Sequence, residues 1–110
     1  MGQAQTIKLP AEAGIAELER KAADAASLLK LLANENRLLI LCRLALHGEM
    51  SVNDLAAAVK LSQSALSQHL ARMREEGLLA TRRKAQTVFY RMADENAARL
   101  LVLLKDLYCA

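Results

Sequence analysis

Between Ser62 and Arg72 the chain carries short polar side chains at a spacing suited to recognition by hydrogen bonds. Placed at 100° per residue, Leu66, Leu70 and Met73 fall on one side of a helix. Gln63, Ser64, Ser67, Gln68, Ala71 and Arg72 spread around the opposite side. A merely solvated helix face carries Lys and Glu pairs. This face instead offers small hydrogen-bonding groups that let a helix approach a partner closely. Gln matches the donor and acceptor edge of adenine, Ser donates to phosphate or base, and Arg reaches the backbone or a guanine. His69 projects toward the border of the buried side and reads as a packing or hydrogen-bonding residue before it reads as a contact. Further along, Arg82, Arg83 and Lys84, with Gln86 beside them, have few acidic neighbours in sequence. They read as ligands for phosphate or the minor groove rather than as members of ion pairs.

The charge distribution supports a polyanionic partner. Between Lys60 and Met92 seven basic residues stand against two acidic ones, a balance of +5, whereas the remainder carries eight basic and ten acidic residues, a balance of −2. A basic middle on a slightly acidic frame is an electrostatic footprint for nucleic acid.

A second candidate chemistry lies in two cysteines, Cys42 and Cys109. Read from its neighbours alone, Cys42 sits in mid-helix on an apolar stripe with Leu38, Leu41 and Ala45, the setting of a packed core cysteine. Cys109, one residue from the end of the sequence, gains little from packing. A thiol enzyme would need a low-pKa cysteine at an open helix N-terminus, often in a CxxC motif. Cys42 has neither that position nor a resolving neighbour. The two histidines, His47 and His69, are not spaced as a zinc site on one face, so no metal site and no cofactor is expected.

These groups need a scaffold, and the remaining residues outline one. Residues 1–11 read as a mobile tail, and 12–110 as one domain. Leu18, Ala22, Ala25, Leu29 and Leu32 recur at helical spacing, predicting a first helix from about Glu12 to Leu32. Asn34 is a good N-cap for a second helix ending at Gly48. Ser51-Val52-Asn53-Asp54 opens a short third helix, and Ser62 caps the polar-faced fourth, with Leu61 and Leu66 as a hydrophobic staple. Gly77 ends that helix, and Leu78 can fold back on Met73. Leu79–Lys84 and Thr87–Met92 then read as two strands of a hairpin, the second rich in β-branched and aromatic residues. Asp94 caps a last, strongly apolar helix. The order is helix, helix, helix, helix, strand, strand, helix: a mainly α fold with a small β-hairpin, the winged helix-turn-helix.

Composition bounds the reading further. Apolar residues make up 54% of 110, which excludes a disordered chain, and Leu and Ala dominate, which favours helix. No stretch approaches membrane-spanning length and the first residues lack a secretory core. A cytoplasmic location is expected, where thiols are held reduced. One small winged domain grips DNA weakly, and the apolar first and last helices offer more surface than one chain can cover. A homodimer on a double-stranded operator, an imperfect palindrome, is the expected assembly.

The runs Leu29-Lys30-Leu31-Leu32-Ala33-Asn34-Glu35-Asn36-Arg37-Leu38 and Leu61-Ser62-Gln63-Ser64-Ala65-Leu66-Ser67-Gln68-His69-Leu70 resemble the ArsR/SmtB family, as do Glu76-Gly77-Leu78-Leu79 and Phe89-Tyr90. The resemblance covers nearly everything from residue 17 onward. It implies a homodimeric repressor of the same element order that changes its grip on DNA when an inducer is sensed. Typical metal-sensing members carry a cysteine pair in the third-helix motif and Asp and His ligands on the last helix. Here Glu49–Asp54 has no cysteine and Asp94–Arg99 has no histidine. Cys42 and Cys109 instead match the thiol-sensing branch, the BigR, SqrR and HlyU type. That match implies a redox or persulfide switch through a disulfide or polysulfide bridge within one protomer. A metal- or haem-responsive repressor using the same cysteines is the alternative within the family, and a small thiol enzyme the alternative outside it.

Overall fold

The computed structural model describes residues 5–109; the expected tail falls in part on 1–4, outside that range. A short 3-10 turn, Ala11–Ala13, precedes α1 (Ile15–Arg20), α2 (Ala22–Leu32) and α3 (Glu35–His47). There follow β1 (Glu49–Ser51), α4 (Val52–Val59), α5 (Gln63–Glu75), β2 (Leu79–Lys84), β3 (Thr87–Met92) and α6 (Glu95–Tyr108).

Capping chemistry sets the helix starts from α3 onward. The side chains of Asn34, Ser51, Ser62 and Asp94 each accept the backbone N–H three residues on, at 2.9–3.2 Å. α5 ends on Gly77 at φ 81, where Leu78 N–H reaches the Met73 carbonyl and Gly77 N–H that of Arg74. That pair of bonds is a Schellman closure, and it folds Leu78 onto Met73, both fully buried. The turn between α4 and α5 bends at Lys60, a non-glycine residue at φ 58 and ψ 41.

The core gathers Leu31 and Leu32 of α2, Ile40, Leu41 and Leu44 of α3, Leu55 of α4, and Leu66, Leu70 and Met73 of α5. The sheet closes over this core with its Met50, Tyr90, Met92 and Leu79 side.

Three expectations need correction. The first helix is two: Lys21, at φ −107 and ψ 16, breaks it between α1 and α2. Of its expected stripe Leu18 and Leu29 lie exposed, while Leu32 is buried together with Leu31. The hairpin is part of a three-stranded antiparallel sheet of order β1-β3-β2, because Glu49, Met50 and Ser51 pair with Arg91, Tyr90 and Phe89. Three residues between two helices are too few to show a period of two, so their sequence carries no strand signal. The inner stripe of α3 is rotated from the expected one: Ile40, Leu41 and Leu44 face the core, while Cys42 and Ala45 are exposed.

Candidate functional site: a polar helix face, a basic wing and a two-cysteine groove

The polar face of α5 stands as its sequence predicts. Gln63, Ser64, Ser67, Gln68, Ala71 and Arg72 are exposed, and Leu66, Leu70 and Met73 are buried beneath them. Gln63 is already engaged: its side-chain amide donates to Asn53 Oδ1 of α4 at 2.9 Å, tying the two helices of the motif across their turn. Nothing in the sequence marks Asn53 for this role. His69 is half-buried at the border of the face. Partial burial and the nearby Arg37 guanidinium hold its pKa below the ordinary value of 6.5.

Arg37 is a residue the sequence did not single out. Its Nε donates to the Leu31 carbonyl at 2.6 Å and its Nη2 to that of Lys30 at 3.4 Å. It thereby closes the C-terminal end of α2 from the first turn of α3, where free carbonyls and the helix dipole favour a cation. Burial and the neighbouring charge of Arg72 lower its pKa, and it remains a cation at neutral pH. Arg37 and Arg72 thus form a positive shoulder beside the polar face, with His69 next to Arg37.

The wing rises from Leu79 to Lys84 and returns from Thr87, with Lys84 opposite Thr87. The two-residue loop Ala85-Gln86 carries positive φ at Ala85 alone, 56°, the sign pattern of a type II′ turn. Arg83, Lys84 and Gln86 are exposed at the tip. Arg82 departs from expectation. Its Nε donates to both carboxylate oxygens of Glu49, at 2.8 and 2.9 Å, and Nη2 meets Oε1 at 2.8 Å. Its guanidinium also lies 4.9 Å from the centre of the Phe89 ring. Glu49 is 33 residues away in sequence, so local acidic density could not reveal the pair.

The two cysteines line one groove on another side of the molecule. A groove of about 530 Å³ runs between α3 and α6, lined by Leu38, Cys42 and Ala45 from the first and Leu101, Val102, Leu104, Lys105 and Tyr108 from the second, with Cys109 at its end. Both thiols are exposed and free. The sequence reading of Cys42 as an inward-facing core residue is therefore wrong, and the rotated stripe of α3 is the reason. A neighbouring groove of about 540 Å³ lies between Leu18, Lys21 and Leu28 on one side and Arg99, Leu100 and Leu103 of α6 on the other. Among the described residues no three His, Cys, Asp or Glu side chains gather as a metal-holding group. None of the helices there is long and apolar enough to cross a membrane.

Comparison with known proteins agrees with this geometry. The profile of the family described as "Bacterial regulatory protein, arsR family" matches residues 34–81, which run from the cap of α3 into the wing. The transcriptional activator HlyU of Vibrio cholerae is 52% identical over 93 residues, 84% of this chain and 85% of its own length. The biofilm growth-associated repressor of Agrobacterium fabrum is 44% identical over 104 residues, 94% of this chain and 83% of its own. Among solved structures, reduced HlyU from Vibrio cholerae superposes with a TM-score of 0.78 at 50% identity, covering 86% of this chain and 98% of that one. The transcriptional repressor BigR from Xylella fastidiosa gives 0.80 at 38% identity, covering 86% and 95%.

Proposed function

The chain belongs to the ArsR family of bacterial regulatory proteins, DNA-binding transcriptional regulators, and from that premise we propose that it is a homodimeric, cytoplasmic repressor whose operator affinity is set by the thiol state of Cys42 and Cys109. The observation that carries the proposal is the shared groove: two exposed thiols line one apolar channel between α3 and α6. Two cysteines more than sixty residues apart in sequence have no local reason to meet there. That one relative was solved explicitly in its reduced form is consistent with redox chemistry in that protein.

On the reading side, Gln63, Ser64, Ser67, Gln68 and Arg72 address bases and flanking phosphates in the major groove, while Arg83, Lys84 and Gln86 meet the backbone or minor groove beside it. The exposed apolar residues Leu18, Leu29, Val102 and Leu103 on α1, α2 and α6 supply the dimer interface, and two-fold symmetry then matches a palindromic site.

On the sensing side, joining the Cys42 and Cys109 sulfurs releases two protons and two electrons. With a sulfane-sulfur donor as oxidant, one thiolate takes up a sulfur atom as a persulfide. The second thiolate attacks its inner sulfur and expels sulfide, giving a disulfide. Where the second cysteine has taken up a sulfur from a second donor molecule, one persulfide attacks the inner sulfur of the other, and a trisulfide forms with loss of sulfide. With a peroxide, a sulfenic acid forms first and water leaves at each step. A direct disulfide needs Cα atoms about 4.4–6.8 Å apart, and extra sulfur atoms extend that reach. Either link pins the end of α6 to α3. Because α6 also belongs to the dimer interface, the pin changes the spacing of the two α5 helices.

The test pairs mass spectrometry of the protein, after sulfane-sulfur or peroxide treatment, with operator-binding curves. The bridged form is expected to bind about 5- to 150-fold more weakly, the range of ordinary allosteric coupling. Cys42→Ser and Cys109→Ser should each bind when reduced and each ignore the oxidant. A full response in either single variant, or a bridge between protomers, defeats the proposal.

A further inference from the structure

The wing has an internal fastening that the basic character of its sequence conceals. Glu49 and Arg82 lie on β1 and β2, the two outer strands, with β3 between them. Their side chains share the sheet face turned away from the core, together with Phe89 and Arg91. The ion pair therefore crosses over the middle strand, with the Arg82 guanidinium resting on the Phe89 ring. The single Nε–H is shared between both carboxylate oxygens and Nη2 adds a third contact, so two faces of the guanidinium edge are committed to Glu49. Among the described residues this is the only ion pair that joins two elements of the fold.

Both ends of this bridge are anchored differently. β1 runs directly into α4, whose first turn is capped by Ser51 at 3.2 Å, so Glu49 moves with the helix-turn-helix. Arg82 stands near the middle of β2, and at about 3.3 Å per residue the Ala85-Gln86 tip lies roughly 10 Å beyond it. A small change of tilt at the level of Arg82 is magnified at the tip, where Arg83 and Lys84 project. A carboxylate held at this spot also repels any phosphate that would approach Arg82 itself.

We propose that Glu49, Arg82 and Phe89 form a clasp that fixes the angle of the wing against the helix-turn-helix, so that Arg82 positions Arg83 and Lys84 instead of contacting DNA. This rests on the reading that the wing tip meets phosphates, and the experiment separates the two. Operator affinity is measured against salt concentration for Arg82→Gln, Glu49→Gln, the charge-swapped pair Glu49→Arg with Arg82→Glu, and Arg83→Gln, with thermal melts showing that each variant is folded. Loss of a phosphate contact lowers the log–log salt slope by about 0.9, and that change is expected for Arg83→Gln. Arg82→Gln and Glu49→Gln should each weaken binding only about two- to five-fold, the scale of a single exposed ion pair, with the slope unchanged. The swapped pair should recover affinity relative to either half alone, because it rebuilds the bridge while putting a carboxylate where a phosphate contact would need a cation. A slope reduced by Arg82→Gln as much as by Arg83→Gln would overturn the clasp, as would tighter binding by Glu49→Gln or a swapped pair weaker than both single variants. An unchanged slope for Arg83→Gln overturns the wing-tip reading instead, and recovery by the swapped pair then still supports the clasp.

Discussion

The end of the molecule that carries α4, α5 and the sheet differs in kind from the side that carries the α3–α6 groove. At the first, α5 is closed by a Schellman turn, and Leu55, Leu66, Leu70, Met73 and Leu78 are fully buried. Two of its exposed polar groups are tied as well, Gln63 to Asn53 and Arg82 to Glu49. Along the second, Leu18, Val102, Leu103, Leu107 and Tyr108 are exposed, and α6 approaches the rest of the chain across open apolar grooves. A surface that reads a fixed DNA geometry needs rigidity, because each base contact depends on hydrogen-bond distances of a few tenths of an ångström. A surface that joins subunits and changes with the state of two thiols needs apolar area and room to shift. Under the proposed function the fold divides these two demands between its faces, and α3, buried through Ile40, Leu41 and Leu44 and exposed through Cys42, belongs to both.

The largest expected effect tests that division directly. Leu66→Ala should cost about 2–5 kcal/mol of stability, since it opens a cavity at a site with no access to solvent. Leu103→Glu, at a residue half exposed in the single chain, should leave the melting of the domain core nearly unchanged. It should instead shift sedimentation toward the 12.0 kDa of one chain. If Leu103→Glu unfolds the protein and Leu66→Ala does not, the two regions have been assigned the wrong way round.

A smaller effect separates reading from folding within the rigid end. Gln68→Ala removes an exposed side chain with no partner among the hydrogen bonds of the described residues. It should lose about 1–3 kcal/mol of operator affinity, concentrated at one base position, with an unchanged melting temperature. Ser67→Ala should follow the same pattern. Equal loss on operator and unrelated DNA would show that these side chains touch only the backbone.

What the sequence revealed follows the same line between local and distant causes. Asn34, Ser51, Ser62, Asp94 and Gly77 act on groups three to five residues away, and each was legible because the chemistry of a cap is written within one turn. The strands of the wing were legible for the same reason, their partners lying across a two-residue loop. The break at Lys21 carries no Gly or Pro to mark it. The facing of α3 depends on which helices lie against it: the run Leu38-Leu39-Ile40 would be ambiguous in any register, and here Ile40 is buried while Leu39 is 45% exposed. A stripe judged from spacing alone therefore placed Cys42 inward by one step of rotation. The pairing of Arg82 with Glu49 needed β1, a strand of three residues that only the finished sheet defines. The polar face of α5 was readable because, the bond from Gln63 to Asn53 apart, it stands exposed to solvent.

The smallest expected effect concerns pH and sits where the two regions meet, at His69. Its imidazole is held below the ordinary pKa of 6.5, first by partial burial and then by the Arg37 charge at the start of α3. In the unfolded chain the same imidazole titrates at its ordinary value. Just below pH 6.5 the unfolded state therefore binds more protons than the folded one, and stability falls as pH falls. Above pH 6.5 both states are neutral and the contribution is complete. The half-buried ring keeps an edge in contact with solvent, so screening keeps the effect small. Thermal melts from pH 7.5 to 5.5 should show a slightly steeper loss for the parent than for His69→Gln. Arg37→Gln should shrink the same difference, because it removes the neighbouring cation, although its own bonds to Leu31 and Lys30 lower the melting temperature at every pH. If His69→Gln instead proved the more acid-sensitive protein, the shoulder of Arg37 and Arg72 would have to stabilise the protonated ring. That outcome would require an anionic group close to His69, where the structure places the Arg37 guanidinium.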